Sequence, residues 1–322
     1  MTGDGLAEAM SRQAGLRRRD AERPRIKVNL YTAEETHAVA EAAAALADNF
    51  GSDAIDCLMV GDSYLMTHLG RPSTRIDGAA EQAAFFKQMV GLVSQVARAL
   101  PVAFASGSRP WLMVDMPDGS VANVDSAIAS MDRMRDAGAE ALKIEIGNDD
   151  AFAIVEAASA RGIPVVIHLG YSPQHGKNRR YGNTASEAET LFAAARRGRD
   201  AGAIALVLER VDPRVNEMLA APHPRGLPVY SIFSGRARHG GQSLNVWDSV
   251  IRPPFVARNF PPTATLDRSD YPRRYTRPVI AEHFARLLAL TCQGKFPQVE
   301  KSGLSPEDAK AVAQFDPWSG SS

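Results

Sequence analysis

The chain has 322 residues, 45% apolar and 23% charged, which is ordinary globular composition and excludes a disordered or collagen-like chain. Its 37 Lys+Arg balance 37 Asp+Glu, so the formal net charge is zero and there is no basic footprint for nucleic acid or an acidic membrane. The length suits either two ordinary domains or one large α/β barrel, and a chain of this size can remove roughly 75% of its unfolded surface from water.

Residues 1–25 carry Asp4, Glu8, Asp20 and Glu22 among the arginines and have no apolar h-region, which argues against a signal or transit peptide. They read as a flexible N-terminal extension, with Arg17-Arg18-Arg19 as a solvated face. The first predicted strand is Lys27–Tyr31, followed by a helical pattern over His37–Asn49 and a second strand at Cys57–Val60 that runs into Gly61-Asp62. The greasy stretch Met89–Ala105 is interrupted by Ser94, Gln95 and Arg98. A membrane span needs about 18–20 apolar residues, so none is predicted, and Ala79–Ala99 reads as a helix of the fold. Two cysteines, Cys57 and Cys292, are too few for a disulfide framework and lack metal-ligand spacing, so a reduced, cytoplasmic protein is expected.

The middle of the chain repeats itself. Arg135-Asp136-Ala137-Gly138-Ala139 leads into the run Ala141–Ile144 and then Glu145, and Arg199-Asp200-Ala201-Gly202-Ala203 leads into Ile204–Leu208 and then Glu209. In both, the glutamate lies seven residues beyond the glycine. Each copy reads as a helix, a Gly stop in the left-handed region, a short buried strand, and an acid where the strand ends. Trp111–Met116, with Asp115, and Pro164–Leu169, with His168, fit the same rhythm, as does Leu227–Ile232. Helical patterns at Val124–Asp136, Asp149–Arg161 and Ser186–Asp200 separate these strands. An eighth strand falls between Gln242 and Val250, where the pattern is weak. Strands alternating with helices indicate a parallel α/β fold. A closed (β/α)8 TIM barrel over 26–302 is favoured, because the polar residues gather at the C-terminal strand ends. A doubly wound sheet is the alternative, although no Gly-x-Gly-x-x-Gly fingerprint follows any strand. The Pro- and Arg-rich stretch 250–278 reads as a looped excursion before a last helix, Pro278–Thr291, and 303–322 as a tail frayed from Trp318 onward.

In a barrel Asp62, Asp115, Glu145 and Glu209 converge on one mouth beside Lys143 and His168. One strand-end acid is ordinarily a helix cap or a surface residue; four in a row are not easily explained that way. Packed together they would raise one another's pKa unless a cation intervened, and an oxygen-only set favours magnesium over zinc. Lys143 and Glu145 alternate with Leu142 and Ile144 and so share a face, as a structural ion pair or as a substrate-binding lysine beside a metal-site acid. There is no Gly-x-Ser-x-Gly elbow and no P-loop.

Several of these segments, in order, resemble ketopantoate hydroxymethyltransferases, relatives of the phosphoenolpyruvate mutase/isocitrate lyase barrels. They are Val60-Gly61-Asp62-Ser63, Val114-Asp115-Met116-Pro117, Leu142-Lys143-Ile144-Glu145, His168-Leu169-Gly170-Tyr171-Ser172-Pro173-Gln174, Leu206-Val207-Leu208-Glu209 and Gly294-Lys295-Phe296-Pro297. The resemblance implies Mg2+ held by Asp62, Asp115 and Glu145. It places a 2-oxo acid on Asp62, Ser63, Asp115 and Lys143, with Glu209 as general base and His168 as the next catalytic candidate. It further implies 5,10-methylenetetrahydrofolate as co-substrate and a homo-oligomer, with a decamer of stacked pentamers as the expected form. The chain departs from the pattern at Thr32-Ala33-Glu34-Glu35, at Ile167, at Asp118, at Ser231-Ile232-Phe233-Ser234-Gly235 and over 251–278. An intact metal and base set inside a changed shell suggests the same enolate chemistry with a changed keto acid or electrophile. A lyase or decarboxylase acting on a 2-oxo acid is the first competing reading, and an inactive barrel kept for assembly the second.

Overall fold

The computed structural model describes residues 24–105, 109–247 and 276–320. Eight parallel strands close on themselves in sequence order. They are β1 (Ile26–Leu30), β2 (Cys57–Val60), β3 (Trp111–Asp115), β4 (Ala141–Glu145), β5 (Val165–Gly170), β6 (Ala205–Glu209), β7 (Val229–Ile232) and β8 (Gly241–Asn245). The expected closed barrel is therefore present and the open sheet is not. Ten helices are described: α1 (Ala33–Ala45), α2 (Ala47–Phe50), α3 (Tyr64–Thr67), α4 (Ala79–Ala103), α5 (Val124–Asp136), α6 (Asp150–Ala160), α7 (Ala185–Asp200), α8 (Pro213–Ala220), α9 (Arg277–Cys292) and α10 (Pro306–Val312).

The internal repeat has the geometry its glycines imply. Gly138 and Gly202 sit at φ 112° and 99°. Ala139 N donates to Met134 O at 3.0 Å and Ala203 N to Gly198 O at 2.9 Å, so each helix closes with the same left-handed stop before its strand. Strand side chains then sort by parity. Val28, Leu30, Leu58, Val60, Leu142 and Leu206 face the helices in the outer core, and Cys57, Met59, Met113, Ala141, Val166, Val207 and Tyr230 fill the barrel interior. The lower end is sealed by Tyr230, whose hydroxyl donates to Asp56 Oδ2 at 2.5 Å, and by Arg25, which donates to Val229 O at 3.0 Å and lies over the Tyr230 ring.

Two boundaries differ from the sequence expectation. Arg25, assigned to a flexible extension, is fully buried in that seal, while residues 1–23 lie outside the described residues. The C-terminal segment is not a frayed tail at Trp318: its indole is buried and its carbonyl accepts from Arg199 Nη1 at 2.8 Å. α10 packs against α7, with Asp308 Oδ1 accepting from Ala185 N at 2.9 Å. The arginine- and proline-rich excursion falls almost wholly within 248–275, outside the described residues, and α9 packs against α1. Among the described residues, no helix is long and apolar enough to cross a membrane.

Candidate active site

At the C-terminal mouth of the barrel lies a cavity of about 660 Å3, counting the part open to solvent. Asp62, Ser63, Asp115, Lys143, Glu145, His168 and Glu209 all line it. Every site residue singled out from the sequence is thus brought to one place, by the strand ends for Asp115, Lys143, Glu145, His168 and Glu209 and by the turn after β2 for Asp62 and Ser63.

The acids stand close because the backbone lets them. A Cβ on Gly61 would meet Ser63 Oγ at 2.8 Å and Asp115 Oδ2 at 3.3 Å, so the missing side chain is what admits the Asp115 carboxylate beside Asp62. Gly170 ends β5 opposite Glu209 at φ 93°, and a Cβ there would lie 2.2 Å from Glu209 O. Lys143 Nζ is paired with Asp115 Oδ1. Gln174 ties the remaining acids: its side-chain amide donates to Asp62 Oδ2 at 2.7 Å and Met116 O at 3.1 Å, and its backbone N–H donates to Glu145 Oε2 at 3.0 Å. Gln174 was legible only as part of a motif. Its role as the strap joining the ends of β2, β3 and β4 depends on contacts distant in sequence.

Electrostatics follow from this crowding. Burial, reinforced by the neighbouring Asp115 charge, pushes Asp62 well above the usual carboxylate range. Burial likewise pushes Glu145 up to about 7, against the pull of Lys143. For Lys143, burial opposes the charge, but the carboxylates of Asp115, Asp62 and Glu145 outweigh it and push its pKa up. His168 lies between two acids, Nδ1 3.6 Å from Glu145 Oε1 and Nε2 3.4 Å from Glu209 Oε2. Burial and then the Lys143 charge push its pKa down. A neutral imidazole carries one N–H, so it can serve only one of these carboxylates at a time.

No trio of His, Cys, Asp or Glu among the described residues forms an ion cage on its own. That is compatible with magnesium, which commonly takes one or two protein carboxylates and completes its shell with water and substrate oxygens. Asp62 and Asp115 fit such a pair: both are buried, both line the cavity, and one cation would compensate them where two charges press together. Glu145, held by Gln174 and flanked by His168, fits a role through water.

Around this set the altered shell is also visible. Thr32 and Glu35 form a capping box on α1, and Glu35 Oε1 accepts from Trp247 Nε1 at 2.9 Å, in an aromatic group that includes Tyr31, Tyr64 and His68. Tyr31 Oη and Ser63 Oγ are 2.8 Å apart, and Asn245 Nδ2 donates to Tyr31 Oη at 2.7 Å, so Ser63 is oriented from β1 and β8. Ile167 faces α7, where Gly198 makes room for it: a Cβ on Gly198 would lie 2.1 Å from Ile167 Cδ1. Phe233 lines the cavity at φ 50°, uncommon for a non-glycine residue. Arg236 N donates to Gln298 O at 3.3 Å and Arg238 N to Glu217 Oε2 at 2.6 Å, and neither arginine lines the cavity.

Residues 25–259 match the family model described as ketopantoate hydroxymethyltransferase. The chain belongs to the ketopantoate hydroxymethyltransferase family. As an enzyme of that family it is 33% identical to the 3-methyl-2-oxobutanoate hydroxymethyltransferase 2 of Methylibium petroleiphilum over 282 residues, 81% of this chain and 92% of the relative. It is 31% identical to the 3-methyl-2-oxobutanoate hydroxymethyltransferase of Aeropyrum pernix over 266 residues, 79% of this chain and 84% of that one. Among solved structures, a putative lyase/mutase from Burkholderia cenocepacia J2315 superposes with a TM-score of 0.50 at 16% identity, over 84% of this chain and 99% of that chain. At that identity the likeness bears on the fold alone.

Proposed function

We propose that the protein is a magnesium-dependent hydroxymethyltransferase acting on 3-methyl-2-oxobutanoate or a related 2-oxo acid, with 5,10-methylenetetrahydrofolate as one-carbon donor. Overall, one keto acid, one methylene unit and one water would give 2-dehydropantoate or its analogue and tetrahydrofolate. The observation that carries this reading is the convergence of Asp62, Asp115, Lys143, Glu145, His168 and Glu209 on one cavity in a chain of this family.

Asp62 and Asp115 would hold Mg2+, with Glu145 reached through water. When bound, the ion polarises the keto group of the substrate and stabilises negative charge on its oxygen. The Lys143 ammonium, kept charged by its carboxylates, offers the substrate carboxylate a counter-charge beside Asp115. Ser63, fixed by Tyr31, presents a hydroxyl at the same rim. Glu209 ends β6 across the cavity and would take the proton from the carbon next to the keto group. Its neighbour His168 stands between the two acids, Nε2 3.4 Å from Glu209 Oε2 and Nδ1 3.6 Å from Glu145 Oε1. The carbon so activated would attack the methylene carbon of the folate as one of its two C–N bonds opens; water would then displace the second C–N bond, giving the hydroxymethyl group and leaving both folate nitrogens protonated.

The test is deuterium exchange into 3-methyl-2-oxobutanoate, followed by NMR in the presence of magnesium. The wild-type protein should exchange the C3 proton and, with the folate, turn over; Glu209→Gln should lose exchange. Exchange retained in Glu209→Gln would place the base elsewhere, and cleavage of a 2-oxo acid without any folate requirement would favour a lyase.

A further inference from the structure

One feature of the cavity is left unused by that chemistry. Lys27 points into the barrel from β1, is 1% exposed, and lines the same cavity as the acids. Its ammonium donates to Asn29 Oδ1 at 2.6 Å and to the thioether of Met59 at 3.4 Å, a weak acceptor. Among the described residues no carboxylate is within ion-pair distance of it. Around it are Cys57, Met59, Met113, Val166, Val207 and Tyr230, the apolar filling of the barrel. A lysine charge in such a place ordinarily has an anionic partner.

A second, independent feature adjoins it. Ser243 of β8 is in register with Lys27, is 7% exposed, lines the cavity, and its Oγ has no hydrogen-bond partner among the described residues. Asn29, one inward position above Lys27 and 4% exposed, spends its amide oxygen on Lys27, which leaves its NH2 to donate. Ammonium, hydroxyl and amide N–H2 therefore stand on two adjacent strands at the cavity floor. All three can donate, and the side-chain oxygen of Asn29, the acceptor nearest to hand, is already taken.

The geometry points to an anion subsite at the floor of the cavity, formed by Lys27, Asn29 and Ser243, that takes a second carboxylate on the keto acid substrate. It rests on the functional reading above, in which the 2-oxo acid end is held at the rim by Asp62, Asp115 and Lys143. The distal end would then reach down past Met59 and Val207 toward Lys27. A neutral acceptor would satisfy hydrogen bonds but leave the charge uncompensated; a carboxylate does both. The preferred substrate class is accordingly a 2-oxo dicarboxylate.

Two probes of equal chain length separate the ideas: 2-oxopentanedioate and 2-oxopentanoate. Calorimetric titration with magnesium should give the dicarboxylate at least about tenfold tighter binding to the wild-type protein, as expected of a buried charge-assisted contact. In Lys27→Met the ratio of the two affinities should collapse to within about twofold of unity, and in Ser243→Ala it should fall by about threefold. Thermal unfolding of each variant verifies that it is folded, and Ser243→Ala supplies the answer if Lys27→Met is not. Equal affinities in the wild-type protein, or a ratio unmoved by the variants, overturns the subsite. Deuterium exchange into the same two acids reports on the functional reading separately. A preference for the dicarboxylate without exchange leaves the subsite standing and removes the enolate chemistry; exchange without the preference does the reverse.

Discussion

Replacing Lys27 by methionine should stabilise the protein at neutral pH and abolish one component of its pH dependence. Burial, aided by the Lys143 charge and opposed by Cys57, Asp115 and Glu209, holds the Lys27 pKa down to about 8 from its usual 10.5. That difference is worth about 3 kcal/mol between the two protonation states. Between about pH 8 and 10.5 the unfolded chain keeps the proton and the folded one has released it, so stability rises with pH across that window. The stabilisation is complete above 10.5 and is lost as pH falls through 8, so at pH 7 the charged form costs the fold about 3 kcal/mol. Methionine is one heavy atom shorter and suits the apolar lining, but it removes the donor to Asn29 Oδ1, at a cost of about 1 kcal/mol. The net expectation is a gain of about 2 kcal/mol at pH 7 that shrinks to near zero by pH 9.5, because the wild-type protein recovers about 2 kcal/mol over that interval. Urea unfolding of both proteins without magnesium or keto acid, at pH 7 and 9.5, measures the gap directly. Comparing the two proteins at each pH cancels the titration of the groups not coupled to Lys27. A Lys27→Met protein less stable than wild type at pH 7, or a gap of the same size at both values, would show that Lys27 is compensated in the folded state and refute the reasoning.

The other expectations concern the rim and its packing. Glu209→Gln preserves size and hydrogen bonding but cannot accept a proton, so deuterium exchange measured by NMR should fall by about 10²–10⁴-fold while keto acid binding persists. Asp115→Ala removes a charged oxygen from the proposed ion site and the partner of Lys143, so magnesium affinity measured by calorimetry should drop by at least about tenfold; an unchanged affinity would exclude Asp115 as a ligand. Gly198→Ala places a Cβ 2.1 Å from Ile167 Cδ1 and should destabilise the fold by about 1–3 kcal/mol in urea unfolding, with most of the loss restored by adding Ile167→Val. Gly170→Ala, at positive φ and against Glu209 O, should cost activity as well as stability, because the strand end that carries Glu209 must move.

Much of the barrel could be read from short apolar runs, because a parallel strand covered on both faces advertises itself without reference to the rest of the chain. β8 was weak for the opposite reason: in Gly241–Asn245 the inward positions Ser243 and Asn245 are polar, and only Leu244 faces the helices with an apolar side chain. α8 is short, and its Asp212-Pro213 start, with Asp212 accepting from Arg214 N at 2.9 Å, is a local signal that the strand rhythm obscured. The strand-end acids were legible because each follows an apolar run. Gln174 and Trp318 were not, since their partners Asp62 and Arg199 lie far away in sequence and only closure of the barrel and docking of the C-terminal segment bring them together. Lys27 and Asn29 were visible as residues of the first strand, but in a barrel the usual rule that alternate polar residues face water inverts when a ligand cavity occupies the interior.

That inversion bears on why the first strand carries a charge. A floor built only for a branched aliphatic keto acid would do better with apolar side chains at 27 and 243, which would fill the interior and spare the fold the cost of an ammonium and an unpartnered hydroxyl. The rim cannot be the beneficiary of the Lys27 charge through direct pairing, because Asp115 already has Lys143 and Asp62 and Glu145 already have Gln174. What the charge does provide is a polarity along the cavity, with carboxylates at the mouth and a cation at the floor, separated by Met59 and Val207. A ligand that brings an anion to the floor relieves a cost the folded protein already carries, so its binding free energy includes the release of that cost. The same substitution that makes the empty protein more stable should therefore make it a poorer binder of the doubly charged acid, and the two measurements on Lys27→Met must move in opposite directions if the cation is there for a ligand.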